Sequence, residues 1–360
     1  MSTILPKNLE VARRAKLAPL NEIAAEMGIG EHLLEPYGEG VAKIKLDAIE
    51  ELSGRPRAKY VVVSAITPTP LGEGKTTTTV GLGQAFKHIG KTATVAVAVR
   101  QASMGSVFGI KCRVSGLEPD AAVLVATVRA LRAHSGRYEV KAGQPLPEEM
   151  LVENPGDVHA GAENLRKQIE NIRLHGVSPV VAVNSFPTDH DSEHDAIREV
   201  AEEMGARVAI CNHFSEGGKG AVELAEAVAE AAEEPSSFRF LYPEEAPLKE
   251  KIEAIATKVY GADGVEYDLT ASRQLASYEK NGFGNLPICM AKTHLSISSD
   301  PSLRGAPKGW TLPVRQARAS VGAGFIYPIC GDMRTMPGLS IHPAAHEIDI
   351  DEDGQIVGLF

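Results

Sequence analysis

Two glycines, a lysine and a pair of hydroxyls stand together in the run Thr67-Pro-Thr-Pro-Leu-Gly-Glu-Gly-Lys-Thr-Thr77. An apolar segment precedes the run and a helix-like stretch follows it. In that order the residues can cradle phosphate. Gly72 and Gly74 let backbone N–H groups turn inward, Lys75 sets a cation on the outer phosphates, and Thr76 can reach a magnesium ion. The binding segment is Thr69, Pro70, Leu71, Gly72, Glu73, Gly74, Lys75, Thr76 and Thr77. It departs from the full P-loop pattern at its start, where Thr69 followed by Pro70 stands in place of the first glycine. The plain alternative is a helix N-terminus with no ligand. A second cation, Arg100, ends the apolar run Thr94–Val99 and offers a planar fork suited to a carboxylate or a mixed anhydride. Its plain alternative is a surface ion pair.

Such groups need a scaffold, and the pattern supplies one. The runs Tyr60–Ala65, Thr94–Val99, Ala121–Ala126, Pro179–Val183, Arg207–Cys211 and Leu286–Met290 are apolar on both faces, as strands buried between helices are. Between them Thr76–Ile89, Gly161–His175, Asp191–Met204 and Ala221–Ala232 carry apolar residues at helical spacing, and Pro247–Tyr260 reads as a further helix. Acidic residues at Asp191–Glu193 and a glycine at 205 mark the two ends of one of these helices. The expected fold is α/β, a mostly parallel doubly wound sheet of P-loop NTPase type with an additional α/β domain. Expected parts are residues 1–111 around the phosphate loop, 112–238, and 239–360. Ser135–Pro155 is expected to be an exposed connection and Glu233–Phe238 a linker. Around Phe108–Gly116 the chain passes into a new strand without the helix that a parallel crossover needs.

Composition narrows the function. A formal net charge of -10 argues against a nucleic-acid partner. Cys112, Cys211, Cys289 and Cys330 are widely spaced, which favours reduced thiols and a cytoplasmic setting over a disulfide frame or structural zinc. The first residues lack an apolar export core, and no run is long enough to cross a bilayer, so no membrane partner is expected.

Other groups have weaker signals. His190 and His194 with Asp189, Asp191, Glu193 and Asp195 resemble a metal cluster, but at a helix start they are better read as caps. Phe186-Pro187 follows a strand, at the end where α/β sheets place ligands. The acidic run Ile348–Gly354 reads as a terminal hairpin edge, and the single Trp310 as structural.

Taken in order, the phosphate loop, Val99-Arg-Gln-Ala-Ser-Met-Gly-Ser-Val-Phe-Gly-Ile-Lys111, Val183-Asn-Ser-Phe-Pro-Thr-Asp189, Tyr260-Gly-Ala-Asp-Gly-Val265, Gly282-Phe-Gly-Asn-Leu-Pro-Ile-Cys-Met-Ala-Lys-Thr293 and Thr335-Met-Pro-Gly-Leu339 resemble the formate–tetrahydrofolate ligase family. The resemblance implies ATP, magnesium, formate and tetrahydrofolate as ligands, a monovalent cation, and a homo-oligomer. It implies catalytic roles for Lys75 and Arg100, a folate pocket at Phe186, Pro187 and Phe214, and a nucleotide-side loop containing Asp332 and Thr335. Phe214 stands where the family has a tryptophan, so less of the pterin would be covered. The resemblance also accounts for the break: a long central segment of the family is missing between Lys111 and Cys112. Three functions stay open on these grounds: the family's ligation, a nucleotide-binding protein that has lost turnover, and another P-loop ligase joining a carboxylate to an amine.

Overall fold

A computed structural model describes residues 13–38, 40–70, 72–90, 94–99, 116–141, 144–331, 346–352, 354 and 356–358. The chain forms two compact units, residues 1–58 with 334–360, and residues 59–333. In the first, Leu34–Pro36 pairs antiparallel with Ala42–Ile44, and Asp349–Ile350 with Ile356–Val357, the latter being the terminal hairpin expected from the acidic run. Among its described residues the buried apolar side chains are Ala24, Leu33 and Ala48.

The second unit contains the four-stranded parallel sheet, β1 (Val61–Ala65), β2 (Ala121–Ala126), β3 (Ser178–Asn184) and β4 (Arg207–Cys211), in the order β1-β2-β3-β4. Its helices are α1 (Lys75–Ala85), α2 (Val128–His134), α3 (Pro155–Gly161), α4 (Glu163–Leu174), α5 (Asp191–Glu203) and α6 (Val222–Glu233). Strands apolar on both faces must be covered on both. Ala122, Leu124 and Ala126 pack with Leu131, Leu165, Ile169 and Ile197 from α2, α4 and α5 on one side. Ala121, Val123 and Val125 pack with Leu82 and Ala85 of α1 and Leu224 and Val228 of α6 on the other. Each such leucine or isoleucine contributes about 1.5–3 kcal/mol by leaving water. Helices thus lie on both faces, as a doubly wound sheet requires, while the described strands run in sequence order without reversal.

Helix ends follow local chemistry. Glu193 caps α5 reciprocally: its carboxylate accepts from the His190 amide at 3.1 Å, and its own amide donates to the His190 carbonyl at 3.0 Å. His194 sits 3.2 Å from Asp189. Glu193 and His190 thus take the capping role expected at this helix start. Gly205 closes α5 with a φ of 67°. Arg132, 1% exposed, gathers the 149–152 turn through the carbonyls of Glu149, Met150 and Val152 and pairs with Glu193 at 2.8 Å. Hence the 149–152 turn of the largely exposed 135–155 connection is tied to α2 and α5 by a buried cation.

The rest of the unit adds β5 (Gly264–Tyr267), β6 (Thr311–Ser320) and β7 (Phe325–Cys330), with α7 (Leu248–Ala254) and α8 (Leu269–Lys280). β5 and β6 are parallel, β6 and β7 antiparallel. Leu248, Ile252, Leu275, Leu312 and Ile326 form its core, and Trp310 packs against that core with its indole N–H donating to Pro307. The expected helix over Pro247–Tyr260 is α7 followed by a wider π turn at Ile255–Val259.

Two expected strands are corrected. Thr94–Val99 is in no strand, and Val95, Val97 and Val99 are 40–57% exposed. Its two-sided apolar pattern calls for neighbours that the described residues do not supply. Leu286–Met290 contains Pro287, which cannot donate to a ladder. The segment instead touches β7 through single bridges, Ile288 to Ile326 and Ala291 to Ile329. Among the described residues no helix is long and apolar enough to cross a membrane. Cys211, Cys289 and Cys330 are free and buried; Cys112 lies outside the described residues.

Candidate functional site

Because β1 to β4 are parallel, their carboxyl ends share one edge of the sheet, with Val125 level with Ala65 and Ala182, and Asn184 level with Cys211. Each strand releases a segment there that carries candidate chemistry: the phosphate loop after β1, Thr127 and Arg129 after β2, Asn184 and Phe186 at the end of β3, and His213-Phe214 after β4. This is the edge where open α/β sheets bind ligands.

The loop is fixed by buried polar groups rather than by regular structure. Gly72 and Gly74 adopt left-handed φ values of 75° and 79°, and Gly74 caps α1. A Cβ at Gly74 would stand 2.5 Å from Asn184 Nδ2, so only glycine fits there. Glu73 is 1% exposed, and its carboxylate turns into the protein. It accepts from the Thr69 amide at 2.8 Å, from the Thr69 hydroxyl at 2.9 Å, and from the Thr127 hydroxyl. The Glu73 carbonyl accepts from Asn184 Nδ2 at 3.2 Å, and the Gly72 carbonyl from Arg129 Nη2 at 2.5 Å. A trans peptide aims its N–H opposite to its carbonyl. Pinning these two consecutive carbonyls therefore aims the Glu73 amide away from Arg129 and the Gly74 amide away from Asn184. Lys75, Thr76 and Thr77 open α1 and are exposed, so they remain available to a ligand.

The start of the loop is held from beneath. Asn164 Oδ1 accepts from the Thr67 amide at 3.0 Å, and its Nδ2 donates to Thr67 Oγ1 and to the Gly305 carbonyl, each at 2.9 Å. His134 Nε2 donates to the Thr67 carbonyl at 2.9 Å; burial lowers its pKa and keeps the ring neutral. Beside Thr67 and Pro68 lies a cavity of about 340 Å³, walled by Tyr242, Tyr260, Ile288 and Lys292 among others. Lys292 Nζ donates to the carbonyls of Thr293, Ser296 and Ser298 and lies 4.8 Å over the Tyr260 ring, and burial pushes its pKa down to about 8. With three donors committed, it serves as an internal tie.

Phe186 is half-buried and Pro187 exposed. Asp189 closes their turn, its carboxylate accepting from the Phe186 amide at 2.9 Å. The Arg129 guanidinium lies 3.9 Å from the centre of the Phe186 ring. Burial lowers its pKa while Glu73 and Asp189 act to raise it. Phe214 is 67% exposed, so its ring is open to solvent rather than packed beneath the loop. Its neighbour His213 is buried, lies 3.3 Å from Thr78 Oγ1 of α1, and is pushed toward the neutral form by burial.

The structure thus gathers the phosphate loop and Phe186 through a shared neighbour, Arg129. Leu71, Arg100, Asp332 and Thr335 lie outside the described residues. The sequence reading did not single out Thr127, Arg129 or Asn184. Their place at or just after the carboxyl ends of β2 and β3 points to them, and Asn184 also stands inside the quoted Val183–Asp189 motif.

The sequence profile of the formate–tetrahydrofolate ligase family matches residues 6–112 and 109–360. The formate–tetrahydrofolate ligase of Saccharopolyspora erythraea is 47% identical over 564 residues, covering 99% of this chain and 100% of the relative. Formate–tetrahydrofolate ligase 3 of Rubrobacter xylanophilus is 44% identical over 572 residues, covering 98% and 100%. That of Cutibacterium acnes is 36% identical over 565 residues, covering 99% and 100%. Against those lengths this chain has 360 residues, and the two matched stretches meet at 109–112, where the central segment is missing. The chain belongs to the formate–tetrahydrofolate ligase family, in a shortened form.

Proposed function

We propose that the protein binds ATP in a P-loop NTPase manner and joins formate to tetrahydrofolate through formyl phosphate, giving 10-formyltetrahydrofolate, ADP and phosphate. The observation that carries this reading is the pinned loop, with two glycines in left-handed backbone and two consecutive carbonyls held by Arg129 and Asn184. A formate oxygen attacks the γ-phosphorus and ADP departs. The folate amine then attacks the formyl carbon, phosphate leaves, and the amine proton is lost. Lys75 offsets charge on the transferring phosphoryl group, and Arg100 holds the formate carboxylate as a bidentate partner. Thr76, exposed at the start of α1, would hold magnesium, which supplies further charge neutralisation on the phosphates. Phe186, Pro187 and Phe214 form the pterin slot, and Asp332 and Thr335 lie on the nucleotide side. A monovalent cation, a homo-oligomer and a cytoplasmic setting accompany this reading.

The absent central segment favours a second outcome at the same site: nucleotide binding persists and ligation is weak. Phosphate binding is local to one loop and one helix end. Formyl transfer needs every group held to within about 0.5 Å by a surrounding shell. An assay with ATP, formate and tetrahydrofolate, reading ADP and formyltetrahydrofolate together, separates the two. We expect MgATP binding that Lys75→Ala weakens at least tenfold, about 1.4 kcal/mol, with turnover well below the on the order of ten per second of ordinary enzymes. Equal MgATP affinity in the variant and its parent would sink the loop assignment. Ordinary turnover would show that other residues complete the site.

A further inference from the structure

Arg129 occupies a position that its own helix does not favour. It is the second residue of α2, where the positive end of the helix dipole opposes a cation. Its Nε is buried and has no hydrogen-bond partner. What the side chain does contact is informative: Nη2 donates to the Gly72 carbonyl at 2.5 Å, and the guanidinium carbon lies over the Phe186 ring, 3.9 Å from its centre. One contact sets the Gly72–Glu73 peptide, and hence the direction of the Glu73 amide. The other lies on the aromatic ring of the folate slot. Asn184, which pins the next carbonyl from within the Val183–Asp189 motif itself, has no such contact with an aromatic ring among the described residues, so of these two ties between the motifs Arg129 is the one that touches the Phe186 ring.

We propose that Arg129 is a positioning residue that couples the nucleotide loop to the folate slot, so that binding of one substrate tightens binding of the other. The inference rests on the function proposed above. A pterin against Phe186 confines the ring and the guanidinium stacked on it. Confining the guanidinium fixes the Gly72 carbonyl, so the rotamer freedom of a long arginine is lost once and not again when phosphate enters. Linkage makes the effect reciprocal. Lysine cannot replace this geometry: an ammonium has no plane to stack while also reaching the carbonyl.

The test is calorimetry on the full chain with MgADP, without and with saturating tetrahydrofolate, and with the order reversed. In the parent we expect each ligand to tighten the other about fivefold or more. Arg129→Met and Arg129→Lys are expected to bring that factor to about one. Phe186→Leu, which leaves the Gly72 contact in place, is expected to reduce the factor likewise. A purely structural role for Arg129 would weaken each affinity by itself and leave the factor unchanged, and that result overturns the proposal. So does a parent that binds both ligands independently. If Arg129→Met does not fold, Arg129→Lys carries the same comparison. A parent that binds neither ligand refutes the proposed function first, and the coupling with it.

Discussion

Lys292 keeps its ammonium in a place that resists charge, and the consequence is measurable. Burial lowers its pKa from 10.5 to about 8 in spite of three carbonyl acceptors. Below pH 8 both folded and unfolded chains carry the proton, and the full burial penalty applies. Between about pH 8 and 10.5 the unfolded chain holds a proton that the folded chain has released, so folding gains stability as pH rises. We expect the parent to gain on Lys292→Met by up to about 1.4 kcal/mol per pH unit across that range. Melting temperatures of both proteins from pH 7.5 to 10 check this, and a difference that does not change with pH contradicts it. At this scale the sequence was legible where chemistry is local: Gly72, Gly74 and Lys75 announce themselves by spacing. Arg129 and Asn184 do not, because their partners Gly72 and Glu73 are distant in sequence and meet them only when β1, β2 and β3 align.

Among the elements, the loop after β4 shows how the two halves of the site are joined. Gly218 packs on the end of α1 so closely that an added Cβ would stand 2.8 Å from the Gln84 carbonyl carbon and 3.0 Å from the Ala85 nitrogen. Gly218→Ala must push the Phe214 loop away from α1, at about 1–3 kcal/mol. A lowered melting temperature is expected, together with folate affinity reduced about tenfold and MgADP affinity changed much less, since the phosphate loop is pinned independently by Arg129 and Asn184. Equal losses of both affinities in calorimetry would argue against separate anchoring. Helices α1, α4, α5, α6 and α7 and the four parallel strands were readable from apolar period alone, because each is buried on the faces its pattern specifies, whereas α2, α3 and α8 were not expected. Thr94–Val99 shows the limit of that reading. Its alternation-free apolar run describes a strand that needs neighbours, and period says nothing about whether the neighbours are there. The pair β6 and β7 escaped notice for the converse reason: β6 is mixed in character, with Arg315, Gln316 and Arg318 beside buried Leu312, Val314 and Ala317.

For the molecule as a whole, the three apolar clusters draw every buried member from residues 66–330, all inside the second unit. Residues 59–333 produced alone should therefore fold, with a single cooperative melt within a few degrees of the parent, as followed by circular dichroism. Failure to fold would mean that the first unit contributes more than its few buried side chains suggest. The winding of the large sheet has a separate consequence. From β2 to β4 the chain steps in one direction across the sheet with α2, α4 and α5 on a single face, whereas α1 lies on the opposite face. Parallel crossovers are right-handed in about 98% of cases. A direct step from β1 to β2 by way of α1 would carry the opposite hand. By this rule α1 belongs to a step the other way, toward a strand beyond β1, and Thr94–Val99 is the segment that follows it. The join between Lys111 and Cys112, where the family's central segment is missing, thus falls on the stretch of sequence between Thr94–Val99 and β2, where a chain sent beyond β1 has to come back across it.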